Sequence, residues 1–252
     1  MMSREIKVLP DANELSRAAA EEFSRLARQN IAARNQFTVS LAGGSTPRGA
    51  YAQLADQDRA GKSERLAWEK IHVFFSDERH VPPDNAESNY KMAWEALLSK
   101  VPIPRENVHR MQGELDASAA AAAYQKEVEQ FFGLRPGEMA RFDLILLGMG
   151  DDGHTASLFP GTSGVTETSR LVIANWVEKF GDYRLTFTFP VLNHAAQVMF
   201  LVAGGPKAEI VKKVLTEDVL PGKYPVQKVN PADGRLLWLL DRAAAQQLDR
   251  QT

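Results

Sequence analysis

Residues 142–161 read Phe-Asp-Leu-Ile-Leu-Leu-Gly-Met-Gly-Asp-Asp-Gly-His-Thr-Ala-Ser-Leu-Phe-Pro-Gly, and no other stretch limits the fold so tightly. Leu144–Leu147 is apolar at every position, so a strand built from it needs cover on both faces. That is the pattern of an inner parallel strand, and Gly148 ends it. The turn beyond carries Gly148, Gly150, Gly153, Asp151, Asp152 and His154. Such a turn builds no core. It exposes backbone N–H groups and sets an imidazole at the end of a rigid element.

Short apolar runs alternate with helical patterns through the rest of the chain. Strands are predicted at 6–9, 37–42, 71–75, 108–111, 171–177, 184–189, 198–203 and 236–240. Helices are predicted from Asp11, which with Glu14 forms a capping box, to about 35, and from Pro47 onward. Further helices fall at 88–100, 116–132 and 206–215, with a short one after the last strand. This order predicts an α/β fold: an open, mostly parallel sheet with helices on both faces and a small appended α/β lobe. No linker, repeat or charge block divides the 252 residues, so one domain is expected over 1–252.

Composition excludes several classes. A formal net charge of −2 supplies no basic field for nucleic acid or an anionic membrane. With no cysteine there are no disulfides, no thiolate catalysis and no Cys-ligated zinc, a usage that fits the cytoplasm. Residues 1–10 lack the apolar core of a signal peptide, and no run approaches the roughly 18 apolar residues of a membrane span.

The unusual residues fall just beyond strand ends. Gly43-Gly44-Ser45-Thr46 follows one strand, Ser76-Asp77-Glu78-Arg79 the next, Gly148–His154 a later one, and Gly204-Gly205-Pro206-Lys207 another. In an open α/β sheet those ends share one edge, where ligands bind. The first loop leads into a helix N-terminus, an anion cradle, unless Ser45 or Thr46 simply caps the helix. It lacks the lysine of a nucleoside-triphosphate loop. Lys207 opposes its helix dipole unless an anion sits beside it. Arg79 and Arg184 are further anion-binding candidates, and Asp77 a substrate-binding carboxylate.

Gly148, Gly150 and Gly153 satisfy a dinucleotide fingerprint, but Asp151 and Asp152 oppose a pyrophosphate there. Pro160, Gly161 and Gly164 also interrupt the long helix such a site needs. The imidazole of His154 suits proton transfer with water near neutral pH. Asp151 and Asp152 are both candidates to orient it, or to cap the turn. Together these features describe a phosphate site beside an acid–base site, with no metal cluster and no nucleophile elbow.

These residues resemble the 6-phosphogluconolactonases over nearly the whole chain. The likeness is carried by Leu-Ala-Gly-Gly-Ser-Thr-Pro at 41–47, Ser-Asp-Glu-Arg-His-Val-Pro at 76–82, Ser88-Asn89 and residues 148–161. It continues through Arg-Leu-Thr-Phe-Thr-Phe-Pro-Val-Leu-Asn at 184–193 and Gly205-Pro206-Lys207. The resemblance implies a Rossmann-like fold shared with glucosamine-6-phosphate deaminase and ribose-5-phosphate isomerase. It implies hydrolysis of 6-phospho-D-glucono-1,5-lactone to 6-phosphogluconate in the oxidative pentose phosphate pathway, without metal or cofactor. By that likeness His154 is the general base, Asp77 positions substrate or protons, and Gly148, Gly150, Asp152 and Gly153 support the loop. Gly43, Gly44, Ser45, Thr46, Arg79, Arg184 and Lys207 gather round the phosphate. The chain departs from the family at Lys179-Phe180-Gly181-Asp182-Tyr183, where a proline-rich approach is usual.

Two rivals share the scaffold. A deaminase or isomerase of this kind carries an acidic residue several positions after the loop histidine, and 155–161 contains none. A non-catalytic sugar-phosphate sensor is expected to carry a DNA-binding domain and basic face, and neither is seen. The expected partner is a small phosphorylated sugar lactone, with no nucleic acid or membrane, bound by a cytoplasmic monomer or weak homo-oligomer.

Overall fold

The structure, a computed structural model, describes residues 4–60, 65–216 and 222–248. The first three residues of the segment read for a signal peptide lie outside these. Strands are β1 (Arg4–Leu9), β2 (Phe37–Leu41), β3 (Ile71–Phe75), β4 (Asp77–Arg79), β5 (Leu144–Leu147), β6 (Val172–Val177), β7 (Asp182–Phe187), β8 (Gln197–Val202) and β9 (Arg235–Asp241). Helices are α1 (Ala12–Arg34), α2 (Ser45–Arg59), α3 (Asn89–Ala93), α4 (Ala117–Phe132), α5 (Phe189–His194) and α6 (Ala208–Thr216).

Six strands form a parallel sheet in the order β1-β9-β8-β5-β2-β3. β5 lies inside it, as its unbroken apolar run requires. Alternation sorts the strand residues between two cores. Leu144, Leu146, Met199, Leu201, Leu237 and Leu239 face the helices α1 and α2. Ile145, Leu147, Val198, Phe200, Trp238 and Leu240 face the side of α4 and α6. Asp11 caps α1 by accepting the N–H groups of Asn13 and Glu14, whereas the Glu14 carboxylate pairs with Arg17 instead of closing the expected box.

The appended lobe is a three-stranded antiparallel sheet, β4-β7-β6, with α4 packed against β6 and β7. One residue, Ser76, joins the sheets. Its N–H donates to Leu41 O at 2.9 Å in the parallel sheet, and its carbonyl accepts from Phe187 N at 2.8 Å in the antiparallel one. Its hydroxyl meets that of Ser40 at 2.8 Å. Aromatic packing of Phe74, Tyr124, Phe142 and Phe187 carries one core across the join.

Four predicted elements need correction. The strand at 108–111 is a single bridge, Val73 to Val108, with His109 N donating to Val73 O at 2.8 Å before a tight turn in which Gly113 N donates to Met111 O at 3.1 Å. The helix at 88–100 is α-helical only to Ala93 and widens into a π turn, with Ser99 N donating to Trp94 O at 3.0 Å. The helix from Pro206 opens as a 3₁₀ turn, Gly205–Lys207, before α6. Among the described residues after β9, up to 248, the chain makes turns rather than a helix, and Asp241 caps them by accepting Ala244 N at 2.7 Å.

Candidate active site

β2 leads on to β3 on one side of the sheet, and β5 to β8 on the other. The loops after these adjacent strands therefore diverge, and open α/β sheets bind ligands at that point. A cleft of about 410 Å³ lies there. Its wall includes Gly43, Gly44, Ser45, Thr46, Asp77, Arg79, Gly148, Gly150, His154, Arg184 and Lys207. Asp152 and Gly153 stand behind that wall, the latter pinned where Val226 N donates to its carbonyl at 2.9 Å.

The first loop is held from α2. Tyr51, buried in the core, donates its hydroxyl to Ala42 O at 2.8 Å and accepts Ala42 N at 3.0 Å. Gly44 occupies the N-cap of α2 with φ 102°, a conformation that favours glycine. No side chain caps the helix, so neither Ser45 nor Thr46 plays that part. The bare first turn lines the cleft, and its N–H groups and dipole attract an anion.

The loop after β5 fixes its histidine from three sides. His154 Nδ1 lies 2.5 Å from Asp152 Oδ1, and its backbone N–H donates to the same oxygen at 3.1 Å. The ring stacks on Phe159, centroids 4.0 Å apart. A Cβ on Gly150 would stand 2.0 Å from Nδ1, so only glycine admits the ring there. Burial pushes the Asp152 carboxyl up, but the hydrogen bonds and charge of His154, with Lys179, outweigh it and hold it at about 2. In the neutral ring, a carboxylate accepting at Nδ1 places the proton on that nitrogen and the lone pair on Nε2. Asp151 serves elsewhere, in an ion pair with Lys207 Nζ at 2.5 Å.

The lobe supplies Asp77 and two guanidiniums. Asp77 is buried and accepts the Ser157 hydroxyl at 2.7 Å, while its carbonyl accepts Asn89 Nδ2 at 2.9 Å. Glu78, also buried, accepts the N–H groups of Arg79, Asn89 and Tyr90 and the Ser88 hydroxyl. Burial raises the Glu78 carboxyl despite those four bonds. Arg79 and Arg184 are register partners across β4 and β7. Arg79 donates to Glu87 O, and Arg184 to Tyr183 O at 3.0 Å. Burial, and then the charge of Arg79, lowers the Arg184 guanidinium from its ordinary value. Two cations set so close are relieved by a bound anion.

Asn89, Ser157, Phe159 and Phe180 also line the cleft, and the sequence reading gave none of them a role. Ser157 and Phe159 belong to the glycine-histidine segment itself. Asn89 left a weaker signal beside Ser88, the N-cap of α3. Among the described residues, no three His, Asp or Glu side chains gather as a metal site, and no helix is long and apolar enough to cross a membrane.

Sheet and cleft together define an open α/β protein with a cleft at its strand ends, where Arg79, Arg184 and Lys207 stand with Asp77 and Glu87. Residues 10–238 match the family described as glucosamine-6-phosphate isomerases/6-phosphogluconolactonase. A 6-phosphogluconolactonase of Nostoc sp. is 40% identical over 248 residues, covering 98% of this chain and 99% of the relative. One from Synechocystis sp. is 44% identical over 219 residues, covering 86% and 87%. The solved 6-phosphogluconolactonase of Trypanosoma brucei superposes with a TM-score of 0.84 at 28% identity, covering 98% of this chain and 100% of that one. The chain belongs to the glucosamine-6-phosphate isomerase/6-phosphogluconolactonase family.

Proposed function

We propose that the chain hydrolyses 6-phospho-D-glucono-1,5-lactone to 6-phospho-D-gluconate, with His154 as general base. The observation that carries this is the His154–Asp152 pair beside a cleft lined by Arg79, Arg184, Lys207 and the uncapped start of α2, with Asp77 and Glu87 as its carboxylates. The phosphate is held by Gly43, Gly44, Ser45, Thr46 and those three cations, leaving the lactone ring toward His154. Nε2 takes a proton from water as its oxygen attacks the lactone carbonyl. The negative charge that develops on the carbonyl oxygen is met by a cation of the cleft. The ring C–O bond then breaks, and the imidazolium returns its proton to the departing ring oxygen. Asp152 keeps the ring in one tautomer and stabilises its charged form. Asp77, fixed by Ser157, positions the sugar, and Gly148, Gly150 and Gly153 shape the loop. The same reading makes the chain one α/β unit, monomeric or weakly associated, acting in the cytoplasm in the oxidative pentose phosphate pathway.

The test is proton release from freshly generated lactone, comparing the wild type with His154→Ala. Rapid turnover that falls at least about 100-fold in the variant supports the reading, given the usual contribution of a general base. Turnover equal in both refutes His154 as the base. Binding of 6-phosphogluconate without any acceleration of hydrolysis by the wild type identifies a sensor instead.

A further inference from the structure

Phe180 is 45% exposed at the tip of the β6–β7 hairpin, where Trp176 and Tyr183 are exposed as well. It lines the cleft, and its contacts there are specific. The Arg184 guanidinium carbon lies 4.6 Å from its ring centroid, within the range of a cation–π contact. Its edge meets Phe159, with centroids 5.6 Å apart and planes at 78°. Lys179 Nζ, on the preceding residue, is 5.7 Å from the same ring.

Arg184 needs such support. Arg79 stands beside it as a like charge, and its side chain is only 12% exposed. Its polar contacts among the described residues are Tyr183 O at 3.0 Å and, more distantly, Asp182 at 3.9 Å. Asp182, and beyond it Asp77 and Glu87, favour the charged form of Arg184, but none of the three accepts a hydrogen bond from it. An aromatic face attracts the guanidinium without consuming an N–H group, so the remaining donors stay free.

We propose that Phe180 is a positioning residue, an aromatic clamp that holds the Arg184 guanidinium ready for the substrate phosphate and so favours phosphorylated over unphosphorylated lactones. The proposal rests on the phosphate role given to Arg184 above. Phe180 stands at an exposed hairpin tip, and the buried ring it meets is Phe159.

The experiment compares wild type, Phe180→Leu, Phe180→Trp, Arg184→Ala and the double variant Phe180→Leu/Arg184→Ala. Leucine keeps apolar bulk but has no π face; tryptophan restores one. For each, KM and kcat are measured with 6-phosphogluconolactone, kcat/KM with D-glucono-1,5-lactone, and Kd by calorimetry with 6-phosphogluconate and inorganic phosphate. Phe180→Leu is expected to raise KM and both Kd values roughly 3- to 30-fold, the scale of one lost cation–π contact. Its kcat should change less than about threefold, its kcat/KM on the unphosphorylated lactone should hold, and tryptophan should restore affinity. In the Arg184→Ala background the leucine substitution should add nothing. An unchanged affinity, or an equal loss with and without Arg184, overturns the clamp. So does a fall in kcat alone, which would place the effect on Phe159 and His154. If the wild type fails to turn over the lactone, the lactonase reading falls, and the phosphate Kd values of the leucine and tryptophan variants still decide the clamp.

Discussion

Gly150→Ala isolates the placement of His154 from every other property of its loop. An added Cβ would lie 2.0 Å from His154 Nδ1, 2.1 Å from Cε1 and 2.8 Å from Asp152 Oδ1. Gly150 is not among the residues of positive φ, so alanine meets no backbone penalty and the whole cost is the collision. Ordinary contact needs about 3.5 Å, so the imidazole must retreat by roughly 1.5 Å. That displacement breaks the 2.5 Å bond to Asp152 and shifts the stack on Phe159. A misplacement of about 1 Å can cost about 100-fold in rate, so kcat on the lactone should fall by at least that factor. Stability should fall by only about 1–3 kcal/mol, the scale of one hydrogen bond to a charged group in a partly exposed loop. Stopped-flow proton release gives kcat, urea unfolding gives stability, and the His154 ring resonances report its environment. Gly148→Ala is the stability control, since a Cβ there meets nothing within 4 Å. A Gly150→Ala enzyme with wild-type kcat and shifted His154 resonances would refute the view that catalysis depends on this ring position. Unshifted resonances would refute the collision itself.

Other consequences are as direct. Lys207 must leave Asp151 to reach a phosphate, and Asp151 is 78% exposed, so Asp151→Asn removes a competitor worth at most about 1 kcal/mol. KM should fall by up to about fivefold at low salt, and the difference should vanish in high salt. Glu78→Gln replaces one acceptor oxygen by a donor facing bonded N–H and O–H groups, and should cost about 2–5 kcal/mol in urea unfolding. Burial, and then the charge of His109, lowers the pKa of His72, which lies 3.3 Å from His109 and against Phe131; Glu127 faces His109 in turn at 2.7 Å. The unfolded chain then takes up this proton first, so stability is lost as pH falls through the ordinary histidine value near 6.5. His72→Phe should flatten part of the decline in Tm between pH 7.5 and 5.5; an unchanged slope would show that His72 does not carry it.

The parallel sheet was legible from its inner strands, β5 and β8, whose near-unbroken apolar runs need cover on both faces. Legible too was the gathering of glycine-rich loops at one edge, since parallel strands place their carboxyl ends together. The antiparallel order of the lobe was not, because β4 is three residues long and its pattern, Asp-Glu-Arg, carries no strand signal. It is a strand because Ser76 and the β7 ladder hold it. The division of labour between Asp151 and Asp152 was equally hidden. Two adjacent carboxylates look alike in sequence, and only the turn of the backbone sends one to His154 and the other to Lys207. Phe180 gave no signal of its own, since three aromatics, Trp176, Phe180 and Tyr183, share that hairpin and only the fold turns one of them to Arg184.

Ser76 joins two sheets, and the cleft has one bank on each. The histidine bank is carried by β5, while Arg79 and Arg184 belong to β4 and β7. A ligand that touches both banks is a tie-bar between two frameworks, and its grip resists any hinge motion at the joint. Both frameworks line the cleft, residues 43–46, His154 and Lys207 on the parallel side and Asp77, Arg79 and Arg184 on the lobe, so a change of angle at Ser76 alters the spacing of the two sets together.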